Sequence, residues 1–519
     1  MIKPAGNNAY NSLLGLVTIR QTFCIFNLIS YPKILADFQQ RNHTLTVGGN
    51  NEKTMKNLIE KNTSESIECL EKFFERSFYE VRFEHPSIDK SVVKTVKKDK
   101  GLFFEFAKMI LSSQKDGQKL FDKDDEIIEF ADFYSKLYFK INSCSDFKFS
   151  VGNSGYTTVS GYINNFTTNN LEKFQKGFYR AIIIIDEKDF NLSSFVGSKY
   201  SLKVKNTEYA SGVIESTIKN QKLHLFKYFD EITKKTYFII ENYEQSNYND
   251  FSSVLDEIIL GITYLTGTFI GNDIYILGSS KNDFKENSVL SLKSFFDELK
   301  SGNMAIPNIM TQHQVNVPAT VFGDDNFGKF IEELCNSLTY KRTILLLCQA
   351  HTEPHYIKSS LYSVALETIT NEISPLIEKK CNPIPSKALS RKIRANLKCS
   401  LAKFKTKLTD GAMIKITSDI DRINSPTNKQ KLLSPFEYYK ISLKQVDIDA
   451  IANRNDFLHG RIPESTDRHL LPIISGRLLF CVNSLILKRI GYEGNIMYHS
   501  VMYQLNNKLS IDELPIRKI

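Results

Sequence analysis

Cysteine is scarce in this chain and follows no pattern that holds a metal or a disulfide framework. The 519 residues include eight cysteines, with no Cys-x-x-Cys pair and no Cys/His cluster at zinc spacing. We therefore expect no structural metal and, by default, a reducing cytoplasm. The cysteines are Cys24, Cys69, Cys144, Cys335, Cys348, Cys381, Cys399 and Cys481.

Long apolar runs are also missing. Runs such as Ile182–Ile185 are far too short to cross a bilayer. Leu470–Leu487 is longer, but Pro472 and Arg477 interrupt it, so we expect a buried helix of a bundle. Residues 1–23 have no basic segment followed by an apolar core, so neither a signal peptide nor a membrane partner is expected.

Residues 1–320 lack the common signatures of a nucleotide, metal or hydrolase site. No Gly-rich phosphate loop, acidic metal cluster or Ser/His/Asp arrangement stands out there. The pair Gly48-Gly49 has neither a following Lys-Ser nor a Gly-x-x-Gly. No cofactor and no metal ligand is predicted.

Composition and charge describe a globular chain with one basic half. Hydrophobic residues make up 42% and aromatic residues 12%, and the length suggests two or three domains. Residues 321–519 contain 29 Lys and Arg against 20 Asp and Glu, whereas residues 1–320 balance 38 against 38. All of the excess positive charge lies in the C-terminal half, which favours an anionic partner there, nucleic acid being the commonest. Solubility alone could also explain it.

The pattern predicts an α+β fold: a mixed, β-rich N-terminal domain at 1–310 with a helical insert, followed by an all-α bundle. Within 64–145, apolar residues recur at helical spacing, which predicts a helical insert or subdomain. The β-rich part is predicted from strands at Tyr179–Asp186 and Asp273–Leu277, a hairpin of Leu223–Phe229 with Thr236–Glu241, and a helix at Phe251–Leu265 closed near Gly267.

A linker is predicted at 311–325, where Pro318 and Gly323 lie, and helices are predicted throughout 326–510. Phe327–Ala350 is predicted to form one helix or a bent pair. Further candidate helices cover Pro354–Glu378, Ser386–Leu408, Pro435–Leu443, Ile448–His459 and Leu470–Arg489.

The helix at Ser386–Leu408 has a basic face. Between Ser386 and Thr409 there are eight basic residues and no acidic one. This face suits the phosphates of RNA, although a solvated lysine-rich surface has the same composition. The apolar stripe through Leu389 and Phe404 is expected to be core. The candidate RNA-binding residues are Lys387, Arg391, Arg394, Lys398 and Lys405.

The sharpest motif is Ala452–Gly460, which reads Ala-Asn-Arg-Asn-Asp-Phe-Leu-His-Gly. On a helix, Asn455 and His459 share a face, with Arg454 at its edge, so all three are expected to project together. Gly460 would end the helix with a left-handed cap. A base near neutral pH can take the proton of a 2′-hydroxyl, and a guanidinium can hold a phosphate, so the set suits phosphodiester chemistry.

This pattern resembles the Arg-x4-6-His signature of HEPN domains, with a polar residue directly after the arginine. The segment Ser363–Glu367, Ser-Val-Ala-Leu-Glu, resembles an early helix of ApeA-like HEPN domains. Farther upstream, a helix ending in Tyr-Leu-Thr-Gly before a short strand is similar to the N-terminal domain of ApeA-like bacterial defence proteins. The HEPN resemblance covers the predicted bundle at 326–510.

The resemblance implies a metal-independent endoribonuclease in anti-phage defence of the abortive-infection type. His459 would be general acid or base, Arg454 would stabilise charge on the phosphorane, and Asn455 would orient His459 or the phosphate. Glu367 is a weaker candidate for a partner of Arg454. Cleavage by the 2′-hydroxyl leaves a 2′,3′-cyclic phosphate.

The resemblance also implies partners. RNA is the substrate, and a homodimer or higher homo-oligomer formed through the HEPN domain would bring a second motif to the scissile bond. The N-terminal half would sense a trigger, such as a molecule derived from a phage. In a related HEPN group a Tyr lies two positions after the motif histidine and is modified by an antitoxin; here that position is Arg461.

Two other hypotheses remain open. The protein could be a non-catalytic HEPN module that binds RNA or a protein, with Arg454 and His459 holding an interface. Alternatively, an enzyme site could lie in the N-terminal half, with the helices serving only for dimerisation.

Overall fold

The computed structural model describes residues 57–519, apart from 61, 76, 79, 83–91, 99–100, 110–127, 133–136, 152–156, 186–199, 205–206, 210–212, 272, 295–301 and 462–466. The first 56 residues of the predicted N-terminal domain lie outside the described residues. What is described is a mixed α+β protein in which a large sheet precedes a helical half, as the sequence predicted. Residues 56–519 form one unit.

The strands concentrate before residue 295. They are β1 Asn57–Glu60, β2 Ser77–Phe78, β3 Glu80–Arg82, β4 Val92–Lys98, β5 Gly101–Met109, β6 Ile128–Asp132, β7 Leu137–Val151, β8 Thr157–Thr168, β9 Lys176–Ile185, β10 Tyr200–Val204, β11 Thr207–Tyr209, β12 Ile214–Ile218, β13 Gln221–Asp230, β14 Lys235–Asn242, β15 Ser246–Asn247, β16 Asp273–Ser279, β17 Ser288–Ser294, β18 Asn495–Met497 and β19 Ile516–Lys518.

The helices concentrate after residue 308. They are α1 Ser64–Phe74, α2 Tyr248–Thr266, α3 Ile309–Gln314, α4 Asp324–Asn336, α5 Leu338–Ala350, α6 His355–Cys381, α7 Lys387–Ala402, α8 Asp410–Asp421, α9 Asn428–Tyr438, α10 Gln445–Leu458, α11 Leu470–Arg489 and α12 His499–Asn506, with 3-10 turns at Asn169–Glu172 and Lys405–Lys407.

The main sheet runs β12-β13-β14-β9-β16-β17-β8-β5-β4-β2, with β15 on β9 and with β3, β6 and β7 branching at β8. Its described pairings are all antiparallel, for example Ile183 opposite Phe238 on one side and Ile274 on the other. In a separate small sheet β1 pairs with β10 in parallel. The predicted strand at 179–186 is confirmed for its described residues, 179–185, and the hairpin at 223–241 and the strand at 273–277 are confirmed as well.

The central strand β9 is buried on both faces, as its run of isoleucines predicted. Alternate side chains enter two different cores, because successive residues of a strand point to opposite faces. Ala181 and Ile183 pack towards α2 and the helical half, whereas Ile182 packs on the opposite face, where α1 contributes Phe73 and Phe74.

Helix α2 joins the sheet to the helical half. Asn247 caps its start by accepting the Asn249 N–H, and Gly267 ends it with φ +75°, which confirms the predicted cap. Midway along α2, Gly261 lies against α4. A Cβ at this position would be 2.4 Å from Cδ1 of Ile331, so a larger residue would force this buried side chain to shift.

The predicted helical insert at 64–145 is wrong beyond its first segment. Among its described residues, Ser64–Phe74 alone is a helix, and those of 101–109, 128–132 and 137–145 are strands. In β5 the buried Leu102 and Phe104 alternate with the exposed Glu105, which is a period of two. The spacing of the clustered phenylalanines therefore fits a helix, although these residues lie on strands and pair with residues of neighbouring strands.

The predicted linker at 311–325 is packed. Gln312 is fully buried and donates from Nε2 to the carbonyls of Pro307 (3.0 Å) and Thr320 (2.8 Å). Its Oε1 accepts from Nδ2 of Asn495 at 2.7 Å. One hydrophobic core passes by this segment from the sheet into the helices, so the connection is held by tertiary packing; the domain boundaries stay a prediction.

In the helical half, the 27-residue α6 packs against α5, α9, α10 and α11. The predicted helix start at Pro435 is wrong, because α9 begins at Asn428 with a capping box of Thr427 and Gln430 and carries Pro435 inside it. Helix α11 has the predicted bounds. Among the described residues it is the one helix long and apolar enough to cross a membrane, and 83% of that window is buried inside the protein, as in a core helix.

The apolar stripe of α7 was predicted to be core, and this prediction is wrong. Leu389 and Phe404 are 51% and 52% exposed, and α8 likewise exposes Ile414. The two helices pack on each other as a hairpin, with an ion pair between Lys398 and Asp421. A two-helix hairpin has too little facing surface to bury both stripes.

Candidate active site

The motif lies where α10 ends, and its helix stop follows the sequence closely. Gly460 has φ +68°, the Gly460 N–H donates to the Phe457 carbonyl at 3.1 Å, and the Arg461 N–H donates to the Asp456 carbonyl at 2.7 Å. These two bonds form a Schellman motif. The predicted left-handed cap at Gly460 is confirmed, and His459 becomes the residue on which the helix closes.

The start of α10 is fixed by a buried carboxylate. Asp447 is fully buried, and its oxygens accept from Nη1 of Arg477 at 3.0 Å, from Nη1 of Arg517 at 3.2 Å and from the Tyr498 hydroxyl. It also accepts the Lys444 N–H at 3.0 Å. Because the carboxylate is shared by α11 and by residues near the C-terminus, α10 has a defined position in the bundle.

Arg454 points into the protein. It is 6% exposed, and its Nη2 lies 3.0 Å from Oε1 of Glu367 on α6. Its Nε has no hydrogen-bond partner in the part of the chain that the structure describes. The guanidinium is therefore a buried cation that Glu367 neutralises, and the pair ties α10 to α6.

Asn455 and His459 face solvent. Both are exposed and one helical turn apart, and the His459 ring makes no hydrogen bond or ion pair with a described residue. His459 lies five positions after Arg454, which turns their side chains about 140° apart around the helix. The expectation that all three project together is thus wrong: the surface carries the amide and the imidazole, and the guanidinium lies beneath.

Helices α6 and α10 run antiparallel beside each other. Glu367 meets Arg454, and nearer the start of α6 the Ser360 hydroxyl donates to the Phe457 carbonyl at 3.1 Å. Because the two helices are antiparallel, His459, which follows Phe457 on α10, lies level with residues that precede Ser360 on α6. The first turn of α6, with His355 and the exposed Tyr356, therefore lies at the same end of the bundle as His459.

That end holds a histidine cluster that the sequence reasoning missed. We call His351, His355, Lys358 and His499 the α6 cluster. Burial lowers the pKa of His351 and of His355, and the charge of Lys358 lowers both further. Burial lowers the pKa of His499 to about 4, against the opposing effect of its 2.9 Å hydrogen bond to the Met304 carbonyl.

Lys358 is half-buried and lacks a close counter-ion. It forms no ion pair within the described chain; burial lowers its pKa, and Glu353, which acts on it only at longer range, raises the pKa by less. Its charge is consequently available to an anion that reaches the first turn of α6.

His469 adjoins the cluster through Tyr503. His469 Nδ1 lies 3.0 Å from the Tyr503 hydroxyl, and the Tyr503 ring meets the His355 ring edge-on at 6.1 Å between centroids. Sequence offered no signal for this assembly, because its members come from α6, α12 and the segments that precede α6 and α11. Among the described residues, no group of three or more His, Cys, Asp and Glu is placed to hold a metal ion.

The candidate RNA-binding residues lie on the α7–α8 hairpin. Lys387, Arg391, Lys398 and Lys405 are exposed, and Arg394 is half-buried. Lys398 is partly neutralised by Asp421, with 2.8 Å between Nζ and Oδ2. The others present a basic surface that protrudes from the bundle.

The N-terminal half contains a buried cation that serves structure. Arg180 donates from Nε and Nη2 to Oε2 of Glu241 at 2.8 and 2.6 Å. Its Nη1 donates to the Asn62 carbonyl and to the Ser66 hydroxyl at 2.6 and 2.7 Å, which fastens α1 to the sheet. Because its donors are engaged in these hydrogen bonds, Arg180 has a structural role and is not a candidate reactive group.

No protein-family model matches the sequence, and neither the curated proteins nor the solved structures include a significant match.

Proposed function

We propose that the chain is a metal-independent endoribonuclease of the HEPN type, with its site at the C-terminal end of α10. The observation that carries this proposal is the unengaged, solvent-exposed ring of His459, with the Asn455 amide one turn before it. An imidazole held at a helix end by a Schellman motif has a fixed backbone and a side chain free to meet substrate.

In the proposed reaction, the 2′-oxygen of a ribose attacks the neighbouring phosphorus and the bond from phosphorus to the 5′-oxygen breaks. His459 acts as general acid or base, and Asn455 orients the ring or a phosphate oxygen. The products carry a 2′,3′-cyclic phosphate and a 5′-hydroxyl. No bound ion takes part in this scheme.

Arg454 has a different part in this proposal from the one its motif suggests. Its ion pair with Glu367 would have to open before the guanidinium could reach a phosphate. We propose that Arg454 positions the end of α10, and that direct contact with the phosphorane requires release of Glu367.

RNA approaches along the basic surface of the α7–α8 hairpin in this scheme. Lys387, Arg391, Arg394 and Lys405 offer charge to the phosphates, with Lys398 shared with Asp421. A homodimer or higher homo-oligomer would bring a second motif to the RNA.

The biological setting of the proposal follows from the ApeA-like resemblance. The β-rich half would sense a trigger, such as a phage-derived molecule, and release the nuclease of the helical half. The protein would act in the cytoplasm, where cleavage of cellular RNA aborts the infection.

The alternative is a non-catalytic HEPN module that binds RNA or a protein. The burial of Arg454 against Glu367 favours it, because that pair is sufficient as a structural fastening. Cleavage distinguishes the two functions.

The test is cleavage of an end-labelled mixed RNA pool in EDTA by wild type, His459→Ala and Asn455→Ala, with analysis of product ends. Wild-type cleavage to 2′,3′-cyclic phosphates, lost in His459→Ala, supports the proposal. Equal cleavage by His459→Ala would move the site elsewhere, and RNA binding without cleavage in the presence of infected-cell extract would favour the binding module.

A further inference from the structure

One phenylalanine differs from the rest in its exposure. Phe404 is 52% exposed, whereas every other phenylalanine whose side chain the structure describes is buried or half-buried. It lies at the end of the α7–α8 hairpin, between the last residue of α7, Ala402, and the first residue of α8, Asp410. The proposed function uses the charges of this hairpin and leaves the ring without a role.

Phe404 is surrounded along the chain by lysines. We call residues 403–407, Lys-Phe-Lys-Thr-Lys, the hairpin tip. Its three lysines are exposed, and none of them forms an ion pair within the described chain, where the hairpin's ion pair joins Lys398 to Asp421. Asp410 is the nearest acidic residue in the sequence. A chain of phosphates that crosses the hairpin tip therefore meets uncompensated positive charge before and after the ring.

The backbone of the hairpin tip is ordered by hydrogen bonds. The Phe404 N–H donates to the Leu401 carbonyl at 3.0 Å, and the Lys407 N–H donates to the Phe404 carbonyl at 2.9 Å. Thr409 then caps α8, because its hydroxyl accepts the Ala412 N–H at 3.3 Å. The ring is thus presented from a fixed turn, which reduces the conformational entropy that is lost when a ligand packs on it.

We propose that Phe404 stacks on an unpaired base of RNA while the lysines of the hairpin tip contact the neighbouring phosphates. This inference rests on the proposed function for the identity of its ligand. Proteins that bind single strands combine a basic surface with aromatic rings, because every base has a face on which a ring can stack. Bases inside a duplex are already stacked on each other, so the ring selects RNA whose bases are unpaired.

The other exposed apolar side chains of the hairpin do not extend the ring into one apolar face. Ile414 and Ile416 of α8 are both exposed, and two successive positions of this kind on a helix are about 200° apart. A membrane surface or a partner helix needs apolar side chains on one face. A single ring among lysines matches a base beside phosphates better than it matches either of those ligands.

The first test removes the ring and measures RNA binding. Fluorescence anisotropy follows a labelled single strand of about 12 nucleotides, the same strand in a duplex, and an abasic strand that has the phosphates without the bases. All proteins are full-length and carry His459→Ala, so that the RNA stays intact. Adding Phe404→Ala should weaken binding of the single strand by roughly 5- to 150-fold and leave binding of the duplex and the abasic strand unchanged.

Ile414→Ala is the matched control, because it removes an exposed apolar side chain from the same hairpin. It should bind each RNA as the parent does, and so should Phe404→Tyr, which keeps an aromatic ring. Phe404→Ala should leave the slope of log K against log salt unchanged, since a neutral ring displaces no counterions, whereas Lys405→Gln should reduce it. Thermal denaturation checks that the variants are folded.

A second test detects the stacking itself. The chain contains no tryptophan, so Phe404→Trp introduces a single one at the hairpin tip. Single-stranded RNA should quench the fluorescence of this residue, because an indole stacked on a base is quenched, and the abasic strand should not. Ile414→Trp, which places the indole elsewhere on the hairpin, should keep its fluorescence with either strand.

The outcomes separate this inference from the proposed nuclease. Binding of the single strand by Phe404→Ala at the parent's affinity, or an equal loss in Ile414→Ala or with the abasic strand, overturns the stacking role and leaves the nuclease standing. Wild-type protein that binds the single strand through Phe404 and never cuts it supports the stacking role and overturns the nuclease. Dependence on Phe404 for cosedimentation with vesicles of phosphatidylcholine and phosphatidylserine, and not for RNA binding, overturns the inference in favour of a membrane surface.

Discussion

Arg454 and Glu367 join α10 to α6 through a contact of 3.0 Å between Nη2 and Oε1. The arginine end is buried and the glutamate end is 39% exposed, so one charge depends on the other for its compensation. Arg454, to which the resemblance would assign phosphate binding, is therefore part of the packing that positions His459.

If Arg454 acts by positioning, its loss should cost both stability and activity. We expect Arg454→Ala to lower the free energy of unfolding by roughly 1–3 kcal/mol, because a buried ion pair is broken. Glu367→Gln should cost at least as much, roughly 3 kcal/mol, because it leaves the buried guanidinium of Arg454 without its compensating charge. Urea denaturation measures both, with the exposed Glu437→Gln on α9 as the control.

Activity separates positioning from direct catalysis. With positioning, Glu367→Gln loosens the end of α10 and lowers the cleavage rate. If Arg454 instead contacts the phosphorane, freeing it from Glu367 should leave the rate unchanged or raise it, and that result would contradict the positioning role.

Acidic pH should destabilise the fold through His499. Its pKa is about 4 when folded and near 6.5 when unfolded, so between these values the unfolded chain binds more protons. Stability is therefore full above about pH 6.5 and declines as pH falls towards 4, by about 2 kcal/mol between pH 7 and pH 5. The lowered pKa values of His351 and His355 act in the same direction.

The check is urea unfolding at pH 7 and pH 5 for wild type and His499→Gln. Glutamine keeps an N–H for the Met304 carbonyl but binds no proton, so its stability should depend less on pH. His313→Gln, which alters an exposed imidazole, should behave as wild type. An unchanged pH dependence in His499→Gln would contradict the assignment.

Local signals in the sequence were sufficient for several features of the site. The Gly460 cap, the bounds of α11 and the buried strand β9 each follow from residues within one element. The inward orientation of the Arg454 side chain could not be predicted from its own element, because it depends on Glu367 of α6, which is 87 positions away in the sequence. Tertiary packing therefore determines that Arg454 faces the interior while Asn455 and His459 face solvent.

The α6 cluster and the failed helical insert illustrate the same division. His355 is brought to Tyr503 of α12, and His499 to His351 and Lys358, only by tertiary packing, which no local pattern encodes. In β5, aromatic residues are dense enough to satisfy a helical and a strand period at once, and pairing with β4 and β8 selects the strand.

The exposed hairpin should govern RNA affinity without setting the chemistry. Changing Lys387, Arg391, Lys398 and Lys405 to Gln should weaken binding, and for single-stranded RNA each ionic interaction with a phosphate that is removed should reduce the slope of log K against log salt by about 0.7. Fluorescence anisotropy across a salt series measures this. The control changes four exposed lysines of the sheet half, Lys173, Lys219, Lys281 and Lys285, to Gln; equal weakening by both sets would contradict a specific basic face.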